Sequence, residues 1–183
     1  MRHIFYDTEF IERGGAYPIN LISIGMVDNY GRELYAINGE INPRLIASHA
    51  WLRNNVLPHL PVRQCDNSTW DWDFDHPEAS YIYTLSDIAD MVKKFVLGVR
   101  ETRELWTWYG AYDHVVICQQ LFGTMMQLPP GFPMWSNDLR QEVERLDAES
   151  SLPPISGDQH KAIDDARWNW EVFLRLFPGG KWR

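Results

Sequence analysis

An apolar run begins close to the start of the chain, where His3-Ile4-Phe5-Tyr6-Asp7-Thr8-Glu9-Phe10 reads as a strand. Ile19 to Val27 is almost continuously apolar, as expected of a central strand covered on both faces. Asp28-Asn29-Tyr30-Gly31 is a hairpin turn into Glu33–Ile37, so the chain opens with three consecutive antiparallel strands. The pattern then becomes helical over Arg44–Asn55, ending before Pro58. Ser86 is placed to cap a helix whose Ile88, Ala89, Val92, Phe95, Val96 and Val99 form one apolar stripe. Glu104–Tyr109 reads as a strand, with Trp106 and Trp108 on one face and both expected in the core. Gly110-Ala111-Tyr112 turns the chain into a helix from Asp113 to Leu121, and Pro129, Pro130, Gly131 and Pro133 mark a loop. Helices over Asp138–Leu146 and Lys161–Phe177 follow, separated by Pro153-Pro154, and Pro178-Gly179-Gly180 closes the last one. This order predicts an α/β fold with a mixed sheet and helices on both faces.

One stretch fits neither period. Residues 61–83 carry Trp70-Asp71-Trp72-Asp73-Phe74-Asp75, and 64–83 reads as a Trp-rich insertion loop. Self-packing of its own aromatics, subunit contact and lining of a substrate cleft are all open to it.

Composition narrows the class. The 183 residues are 45% hydrophobic and 23% charged, which fits one domain, 1–183, with a real core. No apolar run reaches the length of a membrane span, and strand-like sequence starts too early for a signal peptide. Two cysteines, Cys65 and Cys118, build no disulfide framework, so a reducing cytoplasm is expected. The net charge of −8 excludes a protein that coats duplex nucleic acid through a basic face. It leaves room for an enzyme that grips a single strand end with metal ions as its cations.

The candidate chemistry is acidic. On a strand Asp7 and Glu9 point the same way, about 6–7 Å apart, with Ile4, Tyr6, Thr8 and Phe10 on the other side. At about 5 Å and an effective dielectric near 20 their repulsion is roughly 3 kcal/mol. Two solvated acids at a hairpin end, or a hard divalent cation between them, would each relieve it. Asp113 stands where a strand turns into a helix, a place for either an ordinary cap or a site residue. The last helix separates two neighbours. Asp164 aligns with Glu171 and Arg175 on a solvent stripe, whereas Asp165 aligns with Ala162, Val172 and Leu176 on the core stripe. An acid on the core stripe must be paired or metal-bound, and small Ala162 and Ala166 let its helix approach the sheet. His160 precedes this helix and has a side chain suited to taking a proton from water near neutral pH, though exposed loop histidines are commonly inert. Asp7, Glu9, Asp113 and Asp165 together offer enough oxygen for two divalent ions about 3.5–4 Å apart.

In this order, Asp7-Thr8-Glu9, then Asp113, then His160 with Asp165, the chain resembles the DEDDh 3′–5′ exonucleases of ribonuclease H-like fold. Phe5–Glu12, Leu21–Gly25, Val56-Leu57-Pro58, Gly110–His114 and Leu139-Arg140-Gln141 look, more narrowly, like the actinobacterial RNase AS type, exoribonucleases associated with polyadenylate RNA. The resemblance implies magnesium or manganese as cofactor, release of nucleoside monophosphates from the 3′ end of single-stranded RNA, and a homodimer. It makes Asp7, Glu9, Asp113 and Asp165 the metal ligands and His160 the residue that handles the attacking water. Phe10, directly after the acidic strand, is the candidate for stacking on the terminal base. DNA as substrate, or a silent protein-binding copy of the fold, are the two rival expectations.

Overall fold

A computed structural model describes residues 1–15, 18–66, 69–155 and 157–179. Gly180 of the expected closing turn lies outside them. The opening strands are β1 (Arg2–Ile11), β2 (Asn20–Asp28) and β3 (Glu33–Asn38), paired antiparallel as the apolar pattern requires. Their hairpin is locked by a buried ionic knot. The Asp28 carboxylate accepts from Arg2 at 2.8 Å and Arg32 at 2.6 Å, and also from the Tyr30 and Arg32 amides. The Arg32 guanidinium and the Arg32 and Tyr30 amides hold Asp28 below the ordinary carboxylate range despite its burial.

β7 (Arg103–Thr107) adds parallel to β1 and places its end beside Asp7. Two very short strands, β6 (Ile82–Tyr83), parallel to β3, and β8 (Ser136–Asp138), parallel to β7, complete a six-stranded mixed sheet in the order β6-β3-β2-β1-β7-β8. Helices cover both faces. Ile4, Tyr6, Ile24 and Met26 pack with Ile88, Val92 and Val96 of α3 (Leu85–Leu97) and Val116 of α4 (Gly110–Val116). Phe5 and Trp106 face Val172 and Phe173 of α6 (Ala162–Leu176) on the other side, with α5 (Leu139–Leu146) at the margin. Among the described residues no helix is long and apolar enough to cross a membrane.

Several local expectations are corrected. The helix expected over Arg44–Asn55 is two, α1 (Pro43–Ser48) and α2 (Ala50–Asn55), because His49 is extended and its Nδ1 caps the Leu52 amide at 3.4 Å. The cap of α3 is Thr84, not Ser86: Thr84 accepts the Asp87 amide and donates to the Asp87 carboxylate at 2.7 Å. α4 begins at Gly110 rather than Asp113 and runs on into a π-helical turn over Ile117–Leu121. The aperiodic stretch before α3 carries a small hairpin, β4 (Val62–Gln64) with β5 (Trp70–Trp72). Trp72 is buried there against the cluster that holds Ile41 and Ile46, so this aromatic serves the core.

One contact sets the depth of α6. Gly25 lies opposite Asp7 in the β1–β2 ladder, and a Cβ on it would collide with the backbone carbonyl of Ala162. The first turn of α6 therefore rests on bare backbone beside the acidic strand. Gly25→Ala is expected to destabilise the protein by about 2–3 kcal/mol through overpacking and to push Asp165 away from Glu9. Denaturant unfolding measures it, and an unchanged midpoint would show that the helix has room to retreat.

Candidate active site

The site lies where β1 and β7 end and α6 begins. Asp7, Thr8 and Glu9 of β1 form its floor, and His160, Asp165 and Asn169 its near wall. Trp108, Tyr109, Leu152, Ile155 and Trp168 make an aromatic and aliphatic far wall, and the cleft encloses about 500 Å³.

Glu9, His160 and Asp165 each turn one potential ligand atom toward a common point, with these atoms within 4.8 Å of one another. The His160 Nδ1 lies 3.9 Å from Glu9 Oε1. Asp165 Oδ2 accepts the His160 backbone amide at 2.9 Å, so the acid on the core stripe also shapes the loop before it. That loop is strained. His160 sits in the left-handed region at φ 66°, which costs a residue with a Cβ about 1–2 kcal/mol. Asp164 points elsewhere, bonded to Arg167 at 2.5 Å and to the Asp158 amide at 3.3 Å.

Asp113 is buried under β1 and is not part of the three-residue cluster. Its Oδ1 accepts from the amide and hydroxyl of Thr8 at 2.9 and 2.5 Å, and its Oδ2 from the Thr107 hydroxyl at 3.0 Å. It is the fourth residue of α4 and not its cap, which settles the capping alternative. Its charge is still felt at the cleft: burial, then Asp113, Glu9 and Asp165 push the Asp7 carboxyl well up. Burial and the same neighbours raise Glu9 well above its ordinary range. Asp113 and Asp165 are each pushed up to about 6, in both cases chiefly by burial. Four acids thus share a place that resists their full ionisation. His160 is shifted down, chiefly by burial, with the neighbouring His59 acting in the same direction.

Two expectations about aromatics change. Phe10 packs on the core cluster containing Leu21 and Ile24 and does not line the cleft, because alternation along β1 turns it to the face opposite Glu9. Trp106 is fully buried, but Trp108 lies just past the end of β7 and forms cleft wall, edge-on to Trp168 at 5.0 Å. Sequence reasoning also missed Asn169, whose side-chain amide donates to the Tyr6 carbonyl at 2.9 Å and ties α6 to β1 one residue before Asp7. A polar residue four positions after Asp165, on the same inward stripe, was the available signal.

The donor set fits a hard divalent cation. It consists of carboxylate oxygens and one imidazole, and its acids resist ionisation unless a cation joins them. Buried acids gathered beside a histidine and an aromatic wall make a cleft of a size and donor set that could hold a cation. A family model described as a 3′–5′ exoribonuclease Rv2179c-like domain matches residues 2–177, and the chain belongs to that family. Two relatives from Mycobacterium tuberculosis are each 41% identical over 165 residues, 89% of this chain and 86% of theirs. They are the 3′–5′ exoribonuclease MT2234.1 of strain CDC 1551 / Oshkosh and the 3′–5′ exoribonuclease Rv2179c of strain ATCC 25618 / H37Rv.

Proposed function

We propose that this protein is a metal-dependent 3′–5′ exoribonuclease of the DEDDh type on a ribonuclease H-like fold. It removes nucleoside 5′-monophosphates from the 3′ end of single-stranded RNA, adenylate-rich RNA included, and works as a homodimer in the cytoplasm. The convergence of Glu9, His160 and Asp165 beside Asp7 is the observation that carries this reading.

Glu9, Asp165 and Asp7 would hold magnesium or manganese, with Asp113 completing the set behind Asp7. Two such ions, when bound, supply Lewis acidity for activating water and offsetting charge on the phosphoryl and leaving oxygens. The protein's own part is positional. Thr8 and Thr107 fix the Asp113 carboxylate, and Asn169 fixes the strand that carries Asp7. His160, held below its usual range, is neutral near pH 7 and free to accept the proton of the attacking water. Trp108 and Trp168 offer the apolar surface against which an unstacked base is sheltered from water.

The test uses purified protein, manganese, and matched RNA and DNA oligomers labelled at either end. The expected result is stepwise shortening of 5′-labelled RNA and immediate release of mononucleotide from 3′-labelled RNA, with DNA degraded far more slowly. Faster loss of DNA would move the substrate to a proofreading type, and internal cuts would end the exonuclease reading.

A further inference from the structure

Lys161 occupies an unexpected place. It is the N-cap of α6, extended at φ −107° and ψ 107°, and its side chain makes no capping bond. Lysine is a poor capping residue, and a cation at a helix N-terminus opposes the helix dipole. Its ammonium instead turns away to the Glu78 carboxylate at 2.5 Å, and lies 5.8 Å from the centre of the Tyr35 ring. Both members of the pair are largely screened from solvent, at 17% and 28% side-chain exposure.

Glu78 comes from the aperiodic stretch, immediately before the 3-10 turn Ala79–Tyr81. That turn is itself anchored, since Tyr81 packs on Tyr35 at 5.2 Å and the next residues enter the main sheet as β6. The residue next to Lys161 is His160, with its left-handed backbone and its amide on Asp165. Upstream, the Asp158 amide is held by Asp164. Downstream of His160, the Glu78–Lys161 pair ties the backbone to an element outside the loop and α6.

We infer that Glu78 and Lys161 form a positioning pair that holds His160 in its left-handed conformation, with its imidazole toward Glu9 and Asp165. The stretch before α3 thus acts on the reaction without touching substrate. This rests on the proposed role of His160 in turnover.

The experiment is a double-mutant cycle of Glu78→Gln with His160→Ala, read by turnover on labelled RNA, together with amide hydrogen exchange at His160 in the metal-free protein. Glu78→Gln is expected to lower kcat about tenfold or more, with KM within about threefold. In the His160→Ala background the same change should alter kcat less than about twofold, because a positioning pair has nothing left to position. Exchange at the His160 amide should quicken at least tenfold in Glu78→Gln. Lys161→Gln, run through the same cycle, gives an independent reading should Glu78→Gln fold poorly. Equal losses in both backgrounds, or unchanged exchange at His160, would overturn the positioning role. If His160→Ala alone leaves turnover near wild type, the catalytic role of His160 fails instead, and the exchange measurement still decides whether the pair holds the loop.

Discussion

Asp165→Asn is expected to lower metal-dependent turnover by about three orders of magnitude or more, whereas its neighbour Asp164→Asn stays within about threefold of wild type. Asp165 shares a common point with Glu9 and His160, so on the proposed reading losing its charge removes a metal ligand, and it also weakens the hold on the His160 amide. Three orders of magnitude correspond to about 4 kcal/mol of transition-state stabilisation, a reasonable share for one metal ligand. Asp164 bonds to Arg167, which keeps Glu33 as a second partner at 2.6 Å, and an asparagine there still accepts the Asp158 amide. An ion pair whose arginine is half-exposed, as Arg167 is, contributes about 1 kcal/mol at most. Side-by-side kinetics of the two variants in saturating manganese check this. The opposite ranking would mean that the stripe facing the sheet was misassigned.

The metal-free protein is expected to melt at a lower temperature at pH 7.5 than at pH 5, and millimolar manganese should recover the difference. Asp113 and Asp165 have folded-state values near 6, above those of an unfolded chain. The folded state therefore binds more protons in this window, and stability is lost as pH rises through about 6. Asp7 and Glu9, also shifted up, act in the same direction. Asp28 and Glu33 are shifted down, and their stability is lost only as pH falls through the lower, acidic range. His3, His114 and His160, also shifted down by burial, lose stability as pH falls through about 6.5 and offset part of the acids' effect inside this window. Between pH 5 and folded values near 6, Asp113 and Asp165 each give up about one unit, so together, discounted for coupling, they amount to roughly 1–2.5 kcal/mol, on the order of 3–8 °C in a chain of this length. A native-state ligand that pairs with the ionised acids reverses the loss by mass action. Asp7→Asn should raise the metal-free melting temperature at pH 7.5 and forfeit most of the manganese shift. A gain from Asp7→Asn in the metal-free protein that is no larger at pH 7.5 than at pH 5 would mean that the acids are not strained together.

The α/β class, the three opening strands and the position of α6 were legible in the sequence because each rests on a local period. Alternation put Asp7 and Glu9 on one face, and the 3.6-residue stripe separated Asp165 from Asp164 before any contact was known. What escaped was non-local or too short to carry a period. β6 has two residues and β8 three, and they are strands only because β3 and β7 lie beside them. Thr84 and Ser86 are both competent caps, and only the reciprocal bond with Asp87 chooses between them. Phe10 stays on the face that alternation along β1 already gave it, opposite Asp7 and Glu9, so lying next to the acids in sequence did not bring it into the cleft. Trp108 left its expected place in the core because β7 ends at Thr107, just before Trp108 could continue its alternation. By itself, then, the sequence determined which acids could share a face and which helix would bring one of them to the sheet. The tertiary structure decided what surrounds them. Gly25 admits α6 to contact distance, Thr8 and Thr107 hold Asp113 beneath the strand, and Trp108 and Trp168 close the far wall. Each depends on residues far apart in the chain meeting at one point, and no local pattern of side chains encodes that meeting.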